Sequence, residues 1–341
     1  MDELASIELL VRGAAVGGFL GLALCLGRAD PARLRLSGVL FCLSCAGHVL
    51  TQSPSGRLVT GAAFPVIWLL SITGAGLFWA FATDLFSDEA RSRQRRFAPA
   101  ALNLILALSA LLIWPPFSHV AWVVYSIVSV AMIGHALYVI ARGWRDDLVE
   151  SRRKLRGPML ASAAGYGLMV VLLEVTQMLW RPMPELAPVG ATALLLLSLS
   201  GMAVFLSVNS DLLQSAPRAS APRKNAADRA LLARLNRAMD EEETWRTEAL
   251  TMFDLATQVG APEHRLRRLI NTELGYRNFS AYLNERRVHA AKTALADADH
   301  ALKPVSSIAY EVGFASLGPF NRAFKAATGA TPSDWRVQAQ S

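Results

Sequence analysis

The chain has 341 residues, 53% hydrophobic and 18% charged, with a net charge of +7 and a mean hydropathy of +0.32. An ordinary soluble protein carries about 45–50% apolar and about 25% charged residues, so this composition excludes an ordinary soluble chain. The apolar excess is localised: long apolar runs alternate with short polar segments from Ile7 to about Leu213, and beyond Ser215 no run approaches the roughly 20 residues that cross a bilayer.

The first residues, MDELASIE, are acidic where a signal peptide is basic, so no signal peptide is expected. Seven spans are expected: Ser6 to Leu26, Leu36 to Leu50, Ala62 to Phe86, Phe97 to Trp114, His119 to Ile140, Pro158 to Trp180 and Val189 to Leu213. Cys25, Cys42 and Cys45 all fall inside apolar runs, and the Cys42-x-x-Cys45 pair has no His or acidic neighbour, so these are expected to be small packing residues.

Basic residues alternate between the connecting loops. Arg28, Arg33 and Arg35 follow the first span, Arg91, Arg93, Arg95 and Arg96 the third, and Arg142, Arg145, Arg152, Arg153, Lys154 and Arg156 the fifth. The other loops hold only Arg57 and Arg181. Cytoplasmic loops retain Lys and Arg, so the N-terminus is expected outside and the C-terminal tail in the cytoplasm.

Ionisable groups within spans are expensive to place and mark candidate sites. Arg12 and Glu174 each lie about six residues inside the outer end of a span, roughly 9 Å deep at 1.5 Å per residue. They are expected to pair, with His48 and Gln177 lining the same region. Either this is an outward-facing pocket for a small-molecule or proton signal, or a buried ion pair that orders the bundle. His135 lies nearer the cytoplasmic end and is expected to be structural.

Residues 214–227, QSAPRASAPRKNAA, are rich in Pro, Ser and Ala without apolar periodicity and read as a linker. A helix follows, with Leu231, Leu232, Leu235 and Met239 on one stripe that packs on the tail or pairs with a second chain. The tail then repeats: ATQVG at Ala256 to Gly260 returns as AYEVG at Ala309 to Gly313, each before a short turn and an amphipathic helix. Helix, Gly-containing turn and helix make a helix-turn-helix, so two units are expected, at about 250–275 and 305–328.

With Leu266, Leu269 and Ile270 facing inward, His264, Arg268 and Asn271 face out, flanked by Arg265 and Arg267. With Phe320, Ala323 and Phe324 inward, Gly318, Arg322 and Lys325 face out, flanked by Asn321. Arg and Lys suit phosphates and guanine edges, Asn pairs with adenine, and a recognition helix presents such groups from its first turns. A long helix capped by Asn278 joins the units; about 18 residues at 1.5 Å each would hold the two readers near the roughly 34 Å spacing of successive major grooves.

The runs LTMFDLATQVG, RLRRLINTELG and GFASLGPFNRAFKAATGATPSDWR resemble the DNA-binding domain of the AraC/XylS family of bacterial transcription regulators, from about Leu250 to Arg336. The resemblance covers about a quarter of the chain. It implies a seven-helix domain, with His264, Arg267 and Arg268 of one recognition helix and Leu317, Gly318 and Arg322 of the other at the DNA. Pro262 stands where the family often has a Ser cap, and Gly318 implies that the second helix reads fewer bases. From Leu250 onward eleven Lys and Arg face eight Asp and Glu, a modest phosphate-binding balance.

The sequence holds no P-loop, no H-E-x-x-H and no other catalytic constellation, so neither an enzyme nor a cofactor or metal is expected. The expectation is an all-α chain: a seven-span membrane domain at 1–213, a linker at 214–227 and a tandem helix-turn-helix domain at 228–341. It would sit in the bacterial inner membrane and bind double-stranded DNA in response to an envelope signal, as one chain or as a homodimer. Two alternatives stay open: a bundle that only anchors the tail, and a transporter or enzyme with an autoregulatory tail.

Overall fold

A computed structural model describes residues 3–28, 32–52, 59–88, 92–112, 115–179, 187–213, 226–297 and 302–340, with the side chains of all of these except 3–5, 115–119, 166–179, 187–188 and 205–213. The regular secondary structure of the described residues is all helical, apart from one isolated antiparallel pairing of Asp147 with Asn278. The chain divides into two compact units: Met1–Trp144 with Ser151–Ala216, and Arg145–Glu150 with Pro217–Ser341.

Unit 1 contains α1 (Glu3–Leu26), α2 (Ala32–Thr51), α3 (Phe64–Ile72), α4 (Gly74–Phe86), α5 (Arg93–Leu112), α6 (Pro115–Arg142), α7 (Glu150–Leu179) and α8 (Ala187–Leu213), the first residue of α7 belonging to unit 2. Four helical stretches among the described residues are long and apolar enough to cross a membrane: Ser6–Leu26, Ala32–Thr51, Arg93–Leu112 and Val120–Arg142. A bent pair, Gly61–Ile72 with Gly74–Phe86, makes a fifth if it is one span. Of the last two expected spans, Val189–Val204 is a shorter apolar helix, and much of the sixth lies outside the described side chains. On α5 and α6 large apolar side chains stay exposed: Leu112 is 87% and Val130 68% exposed.

Two spans depart from the sequence reading. The second begins at Ala32, four residues before the expected start, so that Arg33 and Arg35 lie in its first turns. The third is broken by 50° between Ile72 and Gly74. Ser71, Thr73 and Gly74 crowd the break, the usual setting for a kink. The carbonyls it releases find partners: Tyr125 Oη donates to Ile72 O at 2.8 Å, Ser44 Oγ to Ser71 O at 3.5 Å and Thr73 Oγ1 to Leu70 O at 2.7 Å. Just beyond, a side chain at Gly76 would lie 2.4 Å from the Ala100 backbone, so glycine is what lets α4 cross α5.

Unit 2 is a small all-helical domain with one core. Its helices are α9 (Ala226–Asn236), continued by a π turn at Arg237–Glu241, α10 (Met252–Gln258), α11 (Glu263–Thr272), α12 (Phe279–Ala296), α13 (Val305–Glu311), α14 (Leu317–Thr328) and α15 (Pro332–Gln340). Leu231, Leu235 and Met239 of the α9 stripe are buried in this core, so the stripe packs on its own domain. Thr251 and Asp254 form a reciprocal capping box on α10, and Asn278 Oδ1 accepts from Ala281 N at 2.7 Å, capping α12 as its sequence predicts. A buried arginine secures the connector: Arg287 of α12 donates to Trp245 O at 2.7 Å and Thr247 O at 2.9 Å. Burial pulls its pKa down, yet a guanidinium stays charged in a protein, so these carbonyls carry the cost of burying it.

Candidate nucleic-acid interface

The two repeats form turns with the same hydrogen-bond pattern. Gly260 N donates to Thr257 O and Ala261 N to Ala256 O, at 3.1 and 3.0 Å; Gly313 N donates to Tyr310 O and Phe314 N to Ala309 O, at 2.9 and 3.0 Å. Both glycines take positive φ, +63° and +85°, the left-handed conformation that ends α10 and α13. Gly313 is doubly constrained, since a Cβ there would lie 2.6 Å from Arg246 O. After these glycines the turns differ: α11 starts three residues on, at Glu263, and α14 four residues on, at Leu317. Counted from the helix starts, His264 matches Gly318, Arg267 matches Asn321, Arg268 matches Arg322 and Asn271 matches Lys325.

On α14 the core face is aromatic. Phe314, Phe320, Phe324 and Trp335 form a run of tilted and edge-on rings with centroids 5.3 to 6.0 Å apart. With Phe320 and Phe324 fully buried, Leu317, Gly318, Asn321, Arg322 and Lys325 are all exposed on the opposite side. The helix ends on Gly329 at φ +79°, whose N–H donates to Lys325 O.

The α11 helix buries Leu266, Leu269 and Ile270 and exposes His264 and Arg268. Its other three expected DNA contacts are engaged within unit 2. Arg265 donates through Nε and Nη2 to Asp228 Oδ1 on α9, at 3.1 and 2.8 Å. Asn271 Nδ2 donates to Tyr276 O at 2.9 Å, closing the turn that follows the helix. Arg267 is buried, 5% exposed; Nε donates to Glu263 Oε1 at 2.9 Å, while Nη1 and Nη2 donate to Asp147 O and Arg145 O, each at 2.9 Å. Arg267 is therefore placed against protein carbonyls and not on the outward face.

The same ion pair changes the reading of Glu263. Pro262 offers no side-chain cap, and Glu263 meets the positive helix end, but its carboxylate is also paired with Arg267, which offsets its repulsion of a phosphate. Around the following turn, burial pushes the Tyr282 phenol up to about 12, and burial with the Glu285 carboxylate beside it does the same for Tyr276. Both rings stay neutral at physiological pH. The Arg145–Glu150 segment was not expected here; its one signal is Leu148, an apolar residue set between Asp146, Asp147 and Glu150 in an otherwise basic loop.

The candidate signal residues of unit 1 are arranged differently from the expectation. Arg12, 5% exposed, pairs with Glu8 one turn earlier at 2.8 Å and donates to Val49 O at 2.6 Å. Glu8, also within the expected first span, stands in the i, i+4 relation to Arg12 that favours such a pair. His48 Nδ1 lies 3.4 Å from Ser71 Oγ, which also accepts from Thr51 Oγ1 at 3.1 Å. Arg12 and His48 thus belong to a polar seam of α1, α2 and α3. The side chains of Glu174 and Gln177 lie outside the described residues. His135, expected to be structural, accepts from Trp79 Nε1 at 2.9 Å.

Residues 255–338 match a family model described as a helix-turn-helix domain, of the AraC type, so the C-terminal part of this chain is a helix-turn-helix domain of the class that binds DNA in transcription regulators. No curated protein and no solved structure matches the chain.

Proposed function

We propose that this protein is a membrane-embedded, sequence-specific transcription regulator whose α11 and α14 helices enter two successive major grooves. The observation that carries the reading is the matched register of exposed groups on the two helices: His264 and Arg268 on one, Gly318, Asn321, Arg322 and Lys325 on the other, with Leu317 at the leading edge. Arg268 and Arg322 occupy equivalent positions, where a guanidinium can fork onto guanine O6 and N7. Arg265 and Asn271 reach DNA only by leaving Asp228 and Tyr276, and Arg267 orients α11 rather than touching DNA.

The apolar helices support an integral membrane location, and the alternating arginines support seven spans with the tail in the cytoplasm. The seam of Glu8, Arg12, His48, Thr51 and Ser71 is the proposed site for an envelope signal, a small molecule or a proton, whose binding shifts the population of bundle arrangements. The test is genome-wide chromatin capture with tagged full-length protein and with a chain carrying Arg268→Ala and Arg322→Ala. Discrete peaks lost in the double variant support the reading; absence of peaks despite membrane insertion would sink it.

A further inference from the structure

The hexapeptide Arg145–Glu150 connects α6 to α7, two helices of unit 1, yet it folds as part of unit 2. Leu148, 3% exposed, sits in the same core as Leu266, Ile270 and Phe279. Its N–H donates to Arg277 O at 3.0 Å, Phe279 N donates to Asp146 O at 2.9 Å, and Ser280 Oγ donates to Asp146 Oδ2 at 2.9 Å. Arg267 closes the seat from α11 through the carbonyls of Arg145 and Asp147. Asp147 turns its own side chain back, Oδ1 accepting from Val149 N at 3.0 Å, which holds the bend. An apolar anchor, backbone pairing and a buried guanidinium on one short peptide make a specific seat.

The stem of this loop is equally fixed. Arg156 of α7, 2% exposed, donates to Ile140 O at 2.5 Å and Val139 O at 3.3 Å near the end of α6, and to Phe86 O at 3.4 Å at the end of α4. Its guanidinium also lies over the Phe86 ring, 4.6 Å from the centroid. Six residues span at most about 20 Å when fully extended, at about 3.3 to 3.6 Å each. Arg156 ties the start of α7 to the ends of α6 and α4, beside the points where the hexapeptide leaves the bundle.

We propose that Arg145–Glu150 is the coupling element of the protein: a change in the packing of α4, α6 and α7 pulls Leu148 and the Asp147 carbonyl from their seats and loosens α11, while α14 keeps its reading face. This rests on the regulator reading above, and it names a route for the signal other than the linker after α8. Coupling of this kind needs a two-state element that both ends bias, and the seated or withdrawn hexapeptide supplies it.

Two experiments on the full chain in native membranes test it. In the first, a protease site is inserted within residues 214–225, and Asp146→Cys is combined with Ser280→Cys. After mild oxidation and cleavage, the tail is expected to stay covalently joined to the membrane fragment and to be freed by reductant, with neither single variant showing the link. A freely released tail overturns the docking. In the second, four Gly-Ser residues are inserted after Gly143 and again after Ser151, keeping the hexapeptide but slackening its tether. At a promoter recovered by chromatin capture, Arg12→Ala is expected to change reporter output in the parent chain and to have no effect in the slackened chain, at matched protein levels. An equal change in both backgrounds, or no change in either, overturns the coupling. Failure of the parent chain to occupy any promoter would overturn the regulator reading instead, and the crosslink would still report the seat.

Discussion

The two recognition helices of unit 2 are built from the same repeat and serve it differently. On α14 every polar group of the reading face is exposed, and the helix is held from behind by an aromatic run that ends on Trp335. On α11 two of the basic groups are turned inward: Arg265 holds α9, the first helix after the linker, and Arg267 holds the α6–α7 hexapeptide. The two copies of the repeat thus differ in what holds them: α14 is backed by an aromatic core, whereas α11 also carries ion-pair and backbone contacts through Arg265 and Arg267.

The largest expected effects come from the reading residues themselves. Replacing Arg268 or Arg322 by Ala should each weaken operator binding by about 1–3 kcal/mol and relax base preference in one half-site only, as measured by titration of full-length protein in nanodiscs against recovered sites. Next comes Leu148→Ala, which removes a fully seated side chain and should destabilise the α11 region by about 2–3 kcal/mol, within the usual range for buried leucines. Hydrogen exchange should show faster exchange of α11 amides, with α14 little changed; equal loosening of both helices would break the proposed division.

The two turn glycines sharpen the comparison further. Gly313→Ala combines positive φ with a backbone clash and should cost about 3 kcal/mol, whereas Gly260→Ala, with open space around it, should cost about 1 kcal/mol from conformation alone. Urea-dependent proteolysis of the full chain, scored on the tail, would rank them. Smallest is Asp228→Asn: its pair with Arg265 is about one-third exposed on both sides, so its loss should cost only about 0.2–1 kcal/mol, visible as a slight gain in exchange at α9. That variant should also free Arg265, so its effect on DNA affinity is expected to be neutral or favourable.

Much of this architecture was legible in the sequence because it depends on local pattern. The apolar stripe of α9, the Asn278 cap, the repeated turns at Gly260 and Gly313, and the whole outward face of α14 follow from periodicity and turn chemistry. What periodicity could not reveal was where the long side chains go. Arg265 and Arg267 sit on flanks that a helical wheel leaves ambiguous, and only the arrival of Asp228 and of the Asp147 carbonyl decides them. The same limit hid Leu148, whose burial depends on a partner more than a hundred residues away. In the bundle, apolar length located four of the expected spans and a bent fifth, but not the 50° break after Ile72, where Ser44 and Tyr125 from other helices supply donors for the released carbonyls.

The most direct measurement is a base-resolution footprint of the full-length protein, held in a bilayer nanodisc, on one operator recovered from cells. Two protected patches about one helical turn apart are predicted, the first erased by Arg268→Ala and the second by Arg322→Ala, each leaving the other in place. A single patch, or protection that neither substitution alters, would contradict the claim that one chain reads two grooves through α11 and α14.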